Sequence, residues 1–189
     1  MITAILLAAG KSVRMKGENK LIKKINGIPM LKHSVQNILD SNIDEIIIVV
    51  GFQSESVKKI IDKNKKIKFI FNKDFETGMA SSIKIGLENL STKTENFFIS
   101  LADMPTVNMN IYNELIKFKD KKEIIVPIYK GQQGNPVLFS VLMKNKIKNI
   151  KGDIGAKKIL EINKEKILNV EINDECIKKD FNTKENFNL

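Results

Sequence analysis

The first segment that could carry chemistry is LAAGKSVRMKGENK, residues 7–20. Its opening small residues allow the backbone to approach a ligand closely, and N–H groups exposed in a glycine-containing turn can bind phosphate oxygens. Arg14 adds a planar fork of donors that suits a pyrophosphate, and Lys20 adds a point charge. The Walker phosphate loop does not fit, because it requires glycine where Ile5 stands, and no GxGxxG follows the strand. An ordinary strand-to-helix turn with surface lysines is the alternative.

Asp103 is the second candidate and lies in LADMP, directly after the apolar run FFIS. An aspartate at the carboxyl end of a central strand can hold a divalent ion over a phosphate loop, since Mg²⁺ prefers hard oxygen ligands and keeps several waters. The alternative is a turn or helix cap ahead of Pro105. Proximity to the phosphate loop would separate the two interpretations.

The third candidate is TGMASS, residues 77–82. Gly78 stands at the start of a predicted helix, where backbone amides and hydroxyls could contact a base or ribose. A well-capped amphipathic helix explains the same pattern.

Two turns rich in small residues follow toward the C-terminus, GQQGNP and GDIGA. Asp153 in the second turn is sufficiently explained as a helix N-cap. Asp180 and Asn182 supply further oxygen ligands late in the chain.

Alternating strands and helices must position these segments. Apolar runs of strand length, typical of a buried parallel sheet, predict strands; they comprise Thr3–Ala8, Glu45–Val50, IKFIF from Ile67, NFFISLA from Asn96, EIIVPIY from Glu123 and ILNVEI. Helical spacing predicts helices after Pro29, around Val57–Ile61, from about Met79 to Leu90, around Ile111–Ile116 and from near Asp153. A short edge strand is expected around Cys176 to Phe181. The order predicts the α/β class, with a mostly parallel, doubly wound sheet in a single domain over residues 1–189.

Ligands of such sheets bind beyond the carboxyl ends of the strands. We therefore expect the loops after Ala8, Val50, Asn72 and Ala102 to face one site. His33 lies on a predicted helix and is interpreted as a surface or hydrogen-bonded residue.

Composition narrows the function classes. The formal net charge is +10, yet Arg14 is the single arginine among 32 basic residues, aromatic residues make up 6%, and the lysines are spread over the whole chain. These features argue against nucleic-acid binding and favour solvated surface lysines. One Cys and one His exclude an internal disulfide, a Cys-rich zinc site and most His-based chemistry. No apolar run reaches the roughly 20 residues of a membrane span, so we expect a cytoplasmic protein without a membrane partner.

Taken together, these segments resemble the MobA-like NTP transferase group, and within it the molybdenum cofactor cytidylyltransferases. LAAGKSVRMKGENKL resembles the family's LAAGxSxRMGxxK loop, with Ala9 where guanylyltransferase relatives usually carry a second glycine. VVGFQSE, NKDFETGMASSIKIGL, LADMP, GQQGNPVLF, GDIGAKKIL and DFNTKENF follow in the family's order. The departures are an extra Lys16 before Gly17, Met104 in place of a glutamine, Asn135 in place of a histidine, and Lys184 in place of a proline.

The resemblance implies a Rossmann-like nucleotidyltransferase fold and a set of site residues. Nucleotide contacts would come from Leu7, Ala8, Ala9, Gly10, Ser12, Arg14, Lys20, Gly78 and Ser82. Catalytic roles would fall to Arg14, Lys20 and Asp103, and the metal ligands would be Asp103 and Asn182, with Asp180 nearby. Gly134, Asn135 and Asp153 would lie on the acceptor side.

The activity implied is Mg²⁺-dependent transfer of CMP from CTP to the phosphate of molybdopterin, with release of pyrophosphate. A molybdoenzyme would then receive the product. Two alternatives stay open. One is a transferase of the same fold that uses another NTP or a sugar or polyol phosphate. The other is a non-catalytic nucleotide- or cofactor-binding chaperone for a molybdoenzyme.

Overall fold

A computed structural model describes residues 1–12, 18–149 and 157–182 of the chain. The strands are β1 (Ile2–Ala8), β2 (Lys24–Ile25), β3 (Ile28–Pro29), β4 (Glu45–Val50), β5 (Ile67–Phe71), β6 (Asn96–Leu101), β7 (Ile124–Tyr129), β8 (Gln132–Gln133), β9 (Val137–Ser140) and β10 (Ile167–Glu171). The α-helices are α1 (Met30–Leu39), α2 (Ser54–Lys59), α3 (Met79–Glu88), α4 (Met109–Ile116), α5 (Lys144–Lys148) and α6 (Lys157–Ile162). Arg14 and Asp153, two predicted site residues, lie outside the described residues.

One mostly parallel sheet organises the described part of the chain. Its strand order is β10-β7-β9-β6-β1-β4-β5, and β8 pairs with β7. β1 is central and runs parallel to both β4 and β6, with Leu7 beside Val49 on one side and Leu101 on the other. β9 runs antiparallel between β6 and β7. The predicted α/β fold with a mostly parallel sheet is confirmed.

Apolar residues on both faces of the sheet explain why the predicted strands form. Ile46–Val50 of β4 are all fully buried, because helices cover each side. On one face, Ala4 and Leu6 of β1 join a cluster with α1 and α4. On the other face, Ile5 joins a cluster with α3, α5 and α6. The alternation along β1 therefore fixes its position between the two helical layers, and its carboxyl end is held at the edge of the sheet.

The predicted edge strand around Cys176 to Phe181 is wrong. A short 3₁₀ helix occupies Glu175–Lys178, and the Asp174 side chain accepts a hydrogen bond from the Cys176 N–H. This local cap satisfies a backbone donor that a strand would direct to a neighbour. The segment ends at the carboxyl edge of the sheet, where the Phe181 N–H donates to the Asp103 carbonyl at 2.8 Å.

No helix within residues 1–12, 18–149 and 157–182 combines the length and the hydropathy that a membrane span requires.

Candidate nucleotide and metal site

A cleft of about 710 Å³ opens at the carboxyl ends of β1 and β6. Four segments line it: the loop after β1, the turn that leads into α3, the loop after β6, and the segment near residue 180. The lining residues are Leu7, Ala8, Ala9, Gly10, Lys11, Ser12, Lys20, Leu21, Phe75, Glu76, Thr77, Gly78, Met79, Ser82, Leu101, Asp103, Asp180 and Asn182. Residues far apart in the sequence therefore meet at the edge where a parallel sheet binds its ligands.

The structure brings most of the predicted site residues together here. Every described residue predicted to bind the nucleotide lines this cleft, as do the two predicted metal ligands; they are Leu7, Ala8, Ala9, Gly10, Ser12, Lys20, Gly78, Ser82, Asp103 and Asn182. Asp103 therefore lies in the same cleft as the loop after β1. The sequence alone did not decide whether these two segments are close together.

The predicted acceptor-side residues Gly134 and Asn135 do not line the cleft. They precede β9, whose antiparallel direction places Val137 opposite Ile99, near the carboxyl end of β6. The Asn135 N–H donates to the Ile177 carbonyl at 2.8 Å. A Cβ at Gly134 would lie 2.5 Å from that same oxygen. Both residues therefore support the C-terminal segment, and their role toward an acceptor stays a prediction.

The loop after β1 is closed by side-chain hydrogen bonds. The Ser12 hydroxyl accepts from the Lys20 N–H at 3.1 Å. Asn19, which is buried, accepts from the Leu21 N–H at 3.0 Å and donates to the Phe52 carbonyl at 3.1 Å. Lys20 therefore begins a short 3₁₀ turn whose backbone is fixed to a second loop. Asn19 was not predicted from the sequence, because its partner is more than thirty positions away.

The loop after Val50, which was expected to face the site, lies behind the cleft wall and does not line it. The Phe52 N–H donates to the Ala9 carbonyl at 3.2 Å. A Cβ at Gly51 would lie 2.6 Å from the Phe75 Cβ, so this position requires a residue without a side chain. The loop therefore supports Ala9 and Phe75 from outside the cleft.

The opposite wall is the start of α3. Gly78 has φ +111°, a value that favours glycine, and it forms the N-terminal boundary of the helix. The buried Asn72 donates through Nδ2 to the Ser82 hydroxyl at 3.0 Å and to the Ser81 hydroxyl at 2.9 Å. The Ser82 hydroxyl is thereby held beside the cleft. Asn72 is another positioning residue that the sequence did not reveal.

The floor of the cleft holds a group of charged and amide side chains. The Lys20 ammonium lies 2.6 Å from Asp103 Oδ2 and 2.5 Å from Asn182 Oδ1. The Asn182 side-chain amide donates in turn to the Asp180 carboxylate. Phe181 between them is fully buried in the core, and its N–H bonds the Asp103 carbonyl. One buried ring therefore holds two polar neighbours at the cleft.

These oxygens suit a hard divalent cation. Asp103 Oδ2 and Asn182 Oδ1 already converge on one positive charge, the Lys20 ammonium. Across the described ranges, no group of three or more His, Cys, Asp or Glu side chains could enclose a metal alone. Mg²⁺ characteristically uses one or two carboxylates and completes its shell with water and substrate phosphates. The donor set fits that arrangement.

His33 and Cys176 do not line the cleft. His33 is on α1, and its Nε2 is 3.1 Å from the Ile25 carbonyl oxygen. Cys176 is buried, and burial raises the pKa of its thiol to about 12. A second cleft of about 500 Å³ lies at the other end of β6, between Glu95 and the lysines near residue 120, and it contains none of the predicted site residues.

Comparison with known proteins assigns the family. The family model described as MobA-like NTP transferase domain matches residues 4–168. The chain belongs to the MobA-like NTP transferase family. The matched range includes the loop after β1, the start of α3 and Asp103, whereas Asp180 and Asn182 lie beyond it.

Relatives of this MobA-like chain include proteins with different names. Molybdenum cofactor cytidylyltransferase of Escherichia coli (strain K12) is 29% identical over 139 residues, which cover 74% of this chain and 70% of the relative. Bifunctional protein GlmU of Staphylococcus epidermidis is 27% identical over 143 residues, covering 75% of this chain and 31% of GlmU. The chain therefore matches under a third of the length of GlmU.

The fold of the MobA-like chain is shared with solved structures. The crystal structure of Rv0371c from Mycobacterium tuberculosis H37Rv superimposes with a TM-score of 0.88 at 21% identity, covering 98% of this chain and 95% of Rv0371c. The complex of Rv0371c with manganese gives a TM-score of 0.83 at 19% identity, with the same coverage. This likeness concerns the fold.

Proposed function

We propose that the protein is a divalent-metal-dependent nucleotidyltransferase that moves CMP from CTP to the phosphate of molybdopterin and releases pyrophosphate. The observation that carries the proposal is the position of Lys20, Asp103 and Asn182 at the floor of a cleft walled by AAG and by the start of α3. A phosphate-binding loop beside a cation site is what this reaction requires.

Different parts of the cleft would bind different parts of the nucleotide. Backbone N–H groups from Gly10 to Ser12 and the Lys20 ammonium would bind the triphosphate, and Arg14 would add its guanidinium fork. Leu7, Ala9 and Gly78 leave room for the base and ribose, and the Ser82 hydroxyl, fixed by Asn72, would donate to them. The chain orients the α-phosphate for in-line attack by the acceptor's terminal phosphate.

Asp103 and Asn182 would hold the Mg²⁺ ion, which when bound supplies positive charge to the phosphates. Lys20 and Arg14 would stabilise the negative charge that develops on the α-phosphate and on the departing pyrophosphate. No covalent intermediate is needed, because the acceptor phosphate is itself the nucleophile. Positioning and electrostatic stabilisation then account for most of the rate. The manganese complex of Rv0371c, a protein of the same fold, supports a divalent metal here.

The choice of CTP and molybdopterin is supported by Ala9 and by the E. coli cytidylyltransferase, which is similar over most of its length. The GlmU relatives support the alternative of a sugar phosphate acceptor. A molybdoenzyme would be the partner that receives the molybdopterin product.

The test is pyrophosphate release by the full chain with Mg²⁺. CTP, GTP and ATP are each offered with molybdopterin and, separately, with a sugar phosphate or a polyol phosphate. We expect release from CTP only when molybdopterin is present, and a loss of at least a hundredfold in Asp103→Asn. Preference for GTP would overturn the choice of base, and turnover only with a sugar or polyol phosphate would overturn the acceptor. An Asp103→Ala variant with full biological activity would instead support the chaperone alternative.

A further inference from the structure

We propose that Lys20 is an exchangeable cation of this site. Its ammonium holds Asp103 and Asn182 together in the absence of a divalent metal, and a metal ion displaces it toward the nucleotide phosphates. Metal and nucleotide binding are therefore coupled through one side chain. The inference rests on the proposed function for the second partner of Lys20, the phosphate.

The geometry makes the two cations mutually exclusive. Lys20 Nζ lies 2.6 Å from Asp103 Oδ2 and 2.5 Å from Asn182 Oδ1, so a metal ligated by both of these oxygens would have to take the place of the ammonium. The side chains of Lys20 and Asp103 are only 15% and 22% exposed, and solvent screens them weakly. A dication on these oxygens would repel the ammonium at close range.

The exchange requires movement of one side chain only. The Lys20 backbone is fixed, because its N–H donates to the Ser12 hydroxyl and Asn19 caps the turn that it begins. Four rotatable bonds remain in the lysine stem, and its ammonium is a compact charge without a preferred plane of approach. Gly10 and Ser12 line the same cleft, so phosphates bound there lie within the reach of the displaced ammonium.

Coupling follows from the partners that the ammonium loses and gains. A metal that binds alone removes Lys20 from two hydrogen-bonded oxygens and breaks its ion pair with Asp103. A metal that binds with a nucleotide provides phosphate oxygens to the displaced ammonium. By linkage, the nucleotide must then raise the affinity for the metal by the same factor as the metal raises the affinity for the nucleotide.

The test measures metal binding without turnover. Mn²⁺ is titrated into the full chain, followed by electron paramagnetic resonance, for the wild type, Lys20→Met and the control Lys24→Met. Lys24 is an exposed lysine that does not line the cleft, and its substitution makes the same change in charge. Without nucleotide, we expect Lys20→Met to bind Mn²⁺ about tenfold more tightly than the wild type, within the usual range of coupling between sites. Lys24→Met should match the wild type.

The nucleotide arm uses α,β-methylene CTP, which cannot release pyrophosphate. We expect Mn²⁺ to raise the affinity for this analogue in the wild type, and to raise it by a factor about tenfold smaller in Lys20→Met, because the two proteins should bind Mn²⁺ equally once the nucleotide is bound. Equal or weaker Mn²⁺ binding by Lys20→Met without nucleotide would overturn the proposal. If that variant does not fold, the Lys20 side-chain ε-CH₂ resonance of the wild type decides, since a resonance unmoved by saturating Mg²⁺ contradicts displacement.

The outcome is separable from that of the proposed function. Neither arm contains an acceptor, and neither depends on pyrophosphate release. If metal and nucleotide binding are coupled in a protein that turns over no NTP, the displacement of Lys20 is supported and the proposed transferase activity is overturned. If the protein is an active transferase but binding is not coupled, the displacement of Lys20 is overturned and the proposed function is kept.

Discussion

Gly51→Ala tests whether the cleft wall depends on the loop behind it. A Cβ at this position would lie 2.6 Å from both Cβ and Cγ of Phe75 and 2.9 Å from the Ala9 carbonyl oxygen. The Phe75 Cβ is attached directly to the backbone, so rotation of the ring cannot relieve the contact. Ala9 and Phe75 both line the cleft, and the overlap must therefore move at least one of its walls.

The size of the effect follows from these distances. Ordinary contact begins near 3.4 Å, so Phe75 must move by roughly 0.8 Å. Overpacking of this kind costs about 1–3 kcal/mol, and the lower entropy of the unfolded alanine variant offsets about 0.4–1 kcal/mol. The midpoints of these two ranges give a net loss of about 1.3 kcal/mol in the free energy of unfolding. A misplacement near 1 Å in a binding site can reduce turnover by about a hundredfold, and we expect a decrease of ten- to a hundredfold here.

The assay combines urea denaturation with calorimetric binding of α,β-methylene CTP and pyrophosphate release. Gly86→Ala is the matched control, because its Cβ would lie 2.5 Å from Ile5 Cγ2 in the core, and Gly86 does not line the cleft. The control should lose stability and keep its nucleotide affinity. If Gly51→Ala binds the nucleotide as tightly as the wild type, or if both variants lose the same amount of nucleotide affinity, then the cleft wall does not depend on the loop that contains Gly51.

Other predictions concern Arg14, the buried ring of Phe181, and the thiol of Cys176 at alkaline pH. Arg14→Lys keeps the charge but removes the planar fork, so we expect at least a tenfold loss in pyrophosphate release; wild-type activity would show that Arg14 has no special role. Phe181→Ala should lose about 3–5 kcal/mol in urea denaturation and weaken Mn²⁺ binding, whereas Phe71→Ala, at a half-exposed ring, should change Mn²⁺ binding little. Burial raises the pKa of Cys176 from 9.0 to about 12, so the thiol's stabilising contribution is complete below pH 9 and is lost as the pH rises toward 12. Between about pH 8 and 11, the free energy of unfolding measured by urea denaturation should therefore fall less steeply with pH in Cys176→Ala than in the wild type. The same pH dependence in both proteins would contradict the burial effect.

The fold and most of the cleft could be predicted from local patterns. EIIIVV, LAAG and LADMP are each a short continuous segment that can be recognised without knowledge of the rest of the chain. A parallel sheet brings the carboxyl ends of its strands to one edge. Because β1 and β6 are neighbouring parallel strands, Gly10 and Asp103 both lie at that edge. This placement follows from the strand order and does not require a side-chain contact to be predicted. Gly78 and Ser82 could be predicted for a similar reason, because a glycine before an amphipathic helix marks the helix start. That the chain forms one domain over residues 1–189 stays a prediction.

Features that depend on distant partners could not be predicted. Asn19 and Asn72 have ordinary loop sequences, and only their bonds to Phe52 and to Ser82 reveal their roles. The strand expected near Cys176 failed because a side-chain cap from Asp174 satisfied the backbone locally. Gly134 has a small-residue signature, but the signature cannot distinguish ligand contact from the close packing against Ile177 that the structure shows.

The hydrogen bond between Lys20 and Asn182 joins two residues that are 162 positions apart in the sequence. During synthesis from the N-terminus, β1, β4, β5 and β6 can pair long before Asn182 leaves the ribosome, since all four strands end by Leu101. The two proposed metal ligands, Asp103 and Asn182, therefore come together only after almost all of the described chain is available. If a metal binds these residues as proposed, it would stabilise the finished fold and not its partly synthesised precursors, because only the finished fold has the segment around Asn182 in place.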